Sequence, residues 1–588
     1  MFVVFEGIDG SGKTTISNLV AQKLRQVGVS VRHVREGGQF ASRVTQSIRD
    51  LCRDPRNLAI TPRTELLLYL AREVQLLEEV VAPGLGEADL VIADRFFYTA
   101  EVLACHGRGL PEATVRAIVD ATRAGAGHPD GSGAGGTGTL EPDLVVLVDV
   151  DPSVARGRRK ISKITAPDRR APSRKGMAGA GMQTRLRDGY RALAARDPQR
   201  WFVIDNSDQE LAAVVDRVAA LITVAREQGV REALAVARGR GRSGSGEIIA
   251  ARPAISSPEE ALPAFLDWVD RRARREPQMA AYVLAGLAGT EIDQRRLALA
   301  PAAPRVIARG LRGLTDAVSW ELRGTLRAAA PEEVALSLVD AASTAPEAWA
   351  LRRELAEGAP SEVAASLQTL DHEVAWLMRE RLWPLAPDGV MLSLAHLPGA
   401  RAAELRERWL DQRGGIDGRA LRGYEGARTA CRGVTGLEDE RAWQIRQAAF
   451  EVAPVAAIES LEGVASERAW AWRQRHLERA PKAVLSTLAG LDDPRAWQMR
   501  QAMAPRCREA LDTMLGHDHP IAWEVRESCL DAWPAAAVKS LGALVDDPRG
   551  QALLERALAR HPESLSLLKQ AAAVAIGRHQ ARPQVLAA

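Results

Sequence analysis

Seven tryptophans in the C-terminal half of the chain, Trp320, Trp349, Trp376, Trp443, Trp470, Trp497 and Trp523, each stand three residues before an arginine: Arg323, Arg352, Arg379, Arg446, Arg473, Arg500 and Arg526. Where neighbouring units are clear, the spacing is 26 to 29 residues. Pro304, Pro331, Pro360, Pro387, Pro454, Pro481, Pro534 and Pro562 keep the same beat. A proline at the end of one helix cannot continue it and can open the next. A period of this length therefore commits more than half of the chain to an all-α solenoid of about nine or ten helical hairpins, each burying its Trp and Leu against the neighbouring unit. The Trp–Arg pairs read first as packing, with Trp in the core and Arg stacked on it. The other reading is a concave face that holds a partner or a nucleic acid.

The preceding residues have a different grammar. "MFVVFE", "VSVRHVRE", "ADLVIADR", "PDLVVLVDV" and "RWFVIDN" are near-continuous apolar runs, as buried parallel strands are, and helical patterns separate them. This alternation predicts a P-loop-compatible α/β domain with a doubly wound, parallel, five-stranded sheet. His128–Thr139 is a Gly-rich insertion, and Ala237–Pro253 reads as a linker. The expected division is residues 1–230, a linker over 231–256, and repeats over 257–588. The repeat unit resembles HEAT-like repeats, although its period is short.

The net charge is +3, but Asp151–Arg200 holds 14 Lys and Arg against 4 Asp and Glu, whereas residues 251–588 hold 43 against 45. A basic block inside a nucleotide-binding half points to phosphate handling. The balanced repeats argue against nucleic acid, which needs a basic face. The five cysteines have no paired spacing, and neither a signal peptide nor an apolar run of membrane-spanning length is found. The reading is a cytoplasmic protein with no membrane partner.

Gly7-Ile8-Asp9-Gly10-Ser11-Gly12-Lys13-Thr14 fits G-x-x-x-x-G-K-[ST] in full, follows a predicted strand and opens a predicted helix. Backbone N–H groups of such a loop close around phosphate oxygens. Lys13 is expected to reach the β- and γ-phosphates of ATP, and the Thr14 hydroxyl to hold Mg²⁺. "FEGIDGSGKTT", "REGG" at Arg35–Gly38, "DRFF" at Asp94–Phe97, "PDLVVLVDVDP" and "RLRDGYRALAARDPQRWFVIDNS" occur in the order and spacing of thymidylate kinases. The resemblance covers nearly all of residues 1–225 and none of the remainder. It implies transfer of the γ-phosphoryl group of ATP to a nucleoside monophosphate, with dTMP the favoured acceptor and Mg²⁺ the metal.

The resemblance also implies roles. Residues Gly7 to Thr15 cradle ATP, with Lys13 catalytic. Asp9 lies near the acceptor sugar, Arg95 clamps the acceptor phosphate, Arg35 and Glu36 face the acceptor, and Tyr69 stacks on its base. Asp94 joins the acceptor residues and, with Thr14, the metal ligands. Some family members carry an Arg in the P-loop; Ser11 stands there, so a basic lid is expected to supply the cation. Arg169 is the best match to the catalytic lid Arg, among several basic neighbours, and Arg159 covers the adenine. A homodimer is the family's common state.

The chain departs from the family around the acceptor. "REGG" lacks a proline, Glu73 stands where an Arg reads the base edge with Arg72 beside it, and Leu103–Ala104 replace Tyr–Gln. Ala171 replaces an acidic lid residue. Three functions follow: a dTMP kinase whose repeats form an interaction arm for a protein partner, a kinase for another nucleotide acceptor, or an ATP-gated scaffold with weak or no turnover.

Overall fold

The structure is a computed structural model that describes residues 1–35, 42–124, 140–166, 181–243, 255–340, 343–562 and 564–581. Glu36, the Gly-rich insertion, Arg169 and Ala171 lie outside the described residues. The chain forms two compact units, most of residues 1–253 making the first and Ala254–Ala588 the body of the second.

In the first unit, β1 (Phe2–Glu6), β2 (Val31–Arg35), β3 (Leu90–Asp94), β4 (Leu144–Asp149) and β5 (Trp201–Asp205) pair in parallel in the order β2-β3-β1-β4-β5. This is the expected doubly wound, five-stranded sheet. The three central strands are buried at every residue, which is why they read as unbroken apolar runs. Helices Lys13–Gln26 and Leu211–Gln228 cover one face, with Ile16, Val20, Val218 and Ile222 packed on Val3, Phe5 and Val146. Strand order reverses at β1, so a crevice opens beyond the carboxyl ends of β1, β3 and β4. Glu6, Asp94 and Asp149 end those three strands.

The expected linker begins inside a helix, Val230–Ser243. Its Ala233 and Leu234 are buried in the same core as the sheet, so this segment packs where its alternating Arg and Gly read as a connector.

The second unit is a run of eleven helix pairs among the described residues, from Pro258–Ala273 with Pro277–Val283 to Pro548–Arg560 with Leu565–Ala581. The pairs that open with Thr290–Leu299, Ala400–Asp411 and Pro548–Arg560 lack the Trp-x-x-Arg signature, which leaves them harder to count from the sequence. The short second helices stack one on the next, and most open with proline at the first turn. Helix Pro258–Ala273 packs along helix Leu565–Ala581, so the run closes on itself. Lys569 Nζ donates to Ala285 O at 2.7 Å across this seam, and burial lowers its pKa to about 8. Terminal repeats of an open solenoid need a polar outer cap. Here each end covers the other.

The repeating arginines are internal clamps. Arg379 Nε donates to Ser393 Oγ at 3.0 Å, and its two terminal nitrogens donate to Leu370 O at 2.9 Å and Leu367 O at 2.8 Å. Ser393 caps the C-terminus of the short helix Pro387–Leu392 and gives its own proton to Val390 O. The cation thus sits between the carbonyl ends of successive short helices, where the backbone dipole favours it. Arg323, Arg352, Arg446, Arg473 and Arg526 repeat the pattern on Ser337, Ser366, Ser460, Thr487 and Ser540. Each lies over its own Trp, Arg379 at 4.4 Å from the Trp376 ring. Burial lowers the pKa of Arg379 to about 10, without discharging it at neutral pH. These six arginines are 0% exposed, so they build the repeats and cannot line a binding face. Outside, Arg401–Glu373, Arg408–Glu380, Arg468–Glu440, Arg495–Glu467 and Arg506–Glu478 pair across a step of 28 residues. That ladder gives the repeats their balanced charge.

Candidate active site

The site grows from the ends of β1 and β3. After Glu6 the chain turns back through Gly7 and Gly10, both with positive φ. A Cβ on either would lie 2.5 Å from a backbone oxygen, of Val148 and Ala155 respectively, so only glycine lets the loop lie this close to its neighbours. Asn206, just past β5, donates from Nδ2 to Ser11 O at 2.7 Å and fixes the loop from the other side. Ile8 is buried, Gly12 precedes the helix, and Thr15 is exposed on its first turn. Lys13 is buried, with Nζ at 3.5 Å from Ile8 O and 3.9 Å from Asp9 Oδ1.

Thr14 Oγ1 donates to Asp94 Oδ2 at 2.5 Å, while Asp94 Oδ1 is buried and has no hydrogen-bond partner among the described residues. A hydroxyl beside a carboxylate with an unsatisfied oxygen is a hard-oxygen donor set that suits Mg²⁺. The expected metal residues fit that ion.

Arg95 occupies a left-handed backbone conformation, φ +88°, which non-glycine residues rarely adopt. Its guanidinium reaches Asp9 Oδ1 at 2.5 Å, Thr99 Oγ1 at 3.2 Å, Gly7 O at 3.4 Å and Tyr190 Oη at 3.4 Å. Burial opposes its charge, yet Asp9, Tyr190, Glu6 and Asp94 together hold its pKa well above the ordinary arginine value. Glu6 is 0% exposed. Burial raises its pKa to about 7, against the pull of Arg95, the Thr99 hydroxyl, the Phe96 N–H and Lys13.

A cavity beside this cluster is lined by Arg35, Arg72, Glu73, Asp94, Arg95 and Phe96, together with aliphatic side chains. Arg72 and Glu73 form a buried ion pair, and the Arg72 guanidinium lies 4.7 Å from the centre of the Tyr69 ring. Tyr69 therefore backs Arg72 and does not line the cavity. Leu103 and Ala104 are buried in a π-helical turn, Leu103–Gly107, and do not line it either. A second π-helical turn, Leu77–Val81, contributes Leu77 and Val81 to the wall. Such turns recur at functional sites. Arg159 is exposed on helix Pro152–Thr165, while its neighbour Arg158 donates to Asn206 O at 3.0 Å.

The structure thus gathers Asp9, Lys13, Thr14, Arg35, Arg72, Asp94 and Arg95 at one end of the sheet. It also brings in residues that the motifs left without a role. Gln183 Oε1 accepts from Asp9 N at 3.2 Å. Arg187 makes a bidentate contact with Asp149 at 2.7 and 2.8 Å, and Arg191 joins at 2.6 Å. Although Asp149 is desolvated, these arginines hold its carboxyl below the usual carboxylate range. Their only signal in sequence was the basic spacing of "RLRDGYR".

The model of the thymidylate kinase family matches residues 5–218. A thymidylate kinase from Trichlorobacter lovleyi is 32% identical over 229 residues, covering 38% of this chain and 99% of its own. Those of Pelobacter propionicus and Nitratidesulfovibrio vulgaris are 36% and 34% identical, covering 35% and 37% of this chain and 86% and 90% of theirs. The chain belongs to the thymidylate kinase family.

The family match ends at residue 218, ahead of the repeats. The chain thus carries a second unit longer than the matched part. Among the described residues, none of its helices is long and apolar enough to cross a membrane.

Proposed function

We propose that the first unit transfers the γ-phosphoryl group of ATP to dTMP, giving ADP and dTDP, and that the repeat unit is an interaction arm. Family membership makes the chain a phosphotransferase of the dTMP kinase type. The observation that carries the residue assignment is the convergence of Lys13, Thr14, Asp94 and Arg95 beside one cavity at the switch point of the sheet.

In this reading the loop N–H groups and Lys13 hold the ATP phosphates. The Thr14 hydroxyl and Asp94 would hold Mg²⁺, which when bound would neutralise charge on the phosphate oxygens. Arg95 clamps the acceptor phosphate with a planar, two-pronged donor. Asp9 keeps that guanidinium in place and meets the acceptor sugar. Arg35 and Arg72 face the acceptor, Tyr69 supports Arg72 from behind, Arg159 covers the adenine, and the resemblance alone assigns Arg169 the role of catalytic lid cation. The scattered cysteines, with no paired spacing, fit a reducing, cytoplasmic setting. Pairing of two kinase units is expected from the resemblance, and sedimentation of the full chain measures it.

One observation favours a second acceptor. Glu73 offers a carboxylate beside the Arg72 guanidinium in the cavity wall, so a base must satisfy both. The test is phosphoryl transfer from ATP to a panel of nucleoside monophosphates, using the full chain and Lys13→Ala. Preferential turnover of dTMP, lost in Lys13→Ala, is expected. Preference for another acceptor replaces dTMP with that nucleotide, and turnover of none overturns the reading.

A further inference from the structure

We propose that Glu6 is a positioning residue that, through the Phe96 N–H and the Thr99 hydroxyl, holds Arg95 in the backbone conformation that aims its guanidinium between the P-loop and the acceptor cavity. The inference rests on the kinase reading above and adds a residue to its machinery.

A positive φ at an arginine persists only where the surroundings over-determine it. Here successive residues of β1 hold the peptide groups on either side. Arg95 N donates to Phe5 O at 3.0 Å, and Phe96 N donates to Glu6 Oε1 at 2.9 Å. The second Glu6 oxygen accepts the Thr99 hydroxyl at 2.8 Å. That bond sets the direction of the whole chain. Once Thr99 has given its proton to Glu6, its lone pairs are left to accept from Tyr190 Oη at 2.9 Å and Arg95 Nη1 at 3.2 Å. Arg95 then turns its other terminal nitrogen to Asp9 at 2.5 Å.

Each donor in this network has one consistent orientation only while Glu6 accepts twice. An amide at residue 6 presents one donor edge, which must face either the Phe96 N–H or the Thr99 hydroxyl. Glu6 has no exposed surface and touches no substrate. Its effect passes entirely through Arg95. Because Arg95 serves the acceptor side, a break in the chain appears in acceptor binding before ATP binding.

The experiment is steady-state kinetics of the full chain with ATP and dTMP, comparing wild type with Thr99→Val, Thr99→Ser, Tyr190→Phe and Glu6→Gln. Removing a buried hydrogen bond to a charged group is expected to raise the dTMP KM about 10-fold in Thr99→Val, with kcat reduced as well. The ATP KM should move by no more than about 2-fold, and Thr99→Ser, which keeps the hydroxyl, should return the dTMP KM to within about 3-fold of wild type. Tyr190→Phe, at the far end of the chain, should raise it by about 3-fold and remains informative where Glu6→Gln does not fold.

Unchanged dTMP KM in Thr99→Val and Tyr190→Phe overturns the inference. So do equal rises in both KM values with no rescue by Thr99→Ser. A wild-type chain that phosphorylates no nucleoside monophosphate removes the kinase reading and this inference with it. Where wild type prefers another acceptor, the same ratios are read with that acceptor, because the phosphate clamp does not depend on the base.

Discussion

Arg95 in the kinase unit and Arg379 in the repeat unit are both guanidinium groups taken out of water, and their surroundings differ in kind. Arg379 stands on an ordinary helix, faces helix-end carbonyls and a serine hydroxyl, and lies over Trp376. Its strongest partners are fixed backbone atoms, and the arrangement recurs along the repeats. Arg95 stands at a strained φ, faces the carboxylate of Asp9 and a pair of hydroxyls, and borders a cavity. Next to it Asp94 keeps an oxygen with no partner among the described residues. Burial alone does not mark a functional cation. Strain, a partner that can be exchanged, and an adjacent unsatisfied acceptor do.

The comparison yields graded predictions. The largest effect is expected at the P-loop. Lys13→Ala should lower kcat for dTMP phosphorylation by about 10³-fold while leaving urea unfolding of the repeats unchanged, because charge stabilisation during transfer is lost and packing is not. An assay of turnover beside a tryptophan-fluorescence melt checks both halves.

Arg379→Met is the mirror case. It leaves buried carbonyls and Ser393 without their donor, and should destabilise the repeat unit by about 3 kcal/mol while dTMP turnover per folded molecule stays within about 2-fold. A parallel loss of turnover would erase the distinction between the two arginines.

Glu6 sharpens the contrast through pH. Its pKa rises from 4.5 to about 7 on folding, chiefly by burial. Between those values the folded chain holds a proton that the unfolded chain has released, so stability falls as pH rises through this window. Wild type should therefore lose roughly 3 kcal/mol relative to Glu6→Gln between about pH 4.5 and pH 8. Thermal melts of the kinase unit across that range test the sign. A wild type that gains on the variant with rising pH contradicts it.

The smallest effect belongs to the outer ladder. Glu440→Gln breaks the exposed pair with Arg468 and should cost about 0.5 kcal/mol, fading as salt is added.

Much of this was legible in the chain. Central strands buried on both faces leave apolar runs, and a loop that must wrap phosphate leaves glycines at fixed offsets, so sheet and P-loop both follow from local rules. The repeat was legible because Trp, Arg and Pro recur in step. The Arg partners were harder to assign, since backbone carbonyls have no letter in a sequence and the capping Ser or Thr is 14 residues away. Closure of the repeats was not legible, because Pro258–Ala273 and Leu565–Ala581 meet across nearly the whole unit, through packing and the Arg578–Glu259 ion pair. The helix Val230–Ser243 was hidden by "ARGRGRS", whose glycines and arginines mimic a connector. At the site, the motifs marked Arg95 but not its φ, nor the Glu6–Thr99–Tyr190 chain. Those follow from how β1 lies beside the end of β3.

One chemical change made at two places tests the central contrast most directly. Lysine keeps the charge of arginine and removes its planar fork. The account predicts that Arg95→Lys loses dTMP turnover by about 10²-fold at an unchanged melting temperature, whereas Arg379→Lys lowers the melting temperature of the repeats at unchanged turnover per folded molecule. If both substitutions moved the same readout, the division between a poised arginine and a clamped one would be wrong.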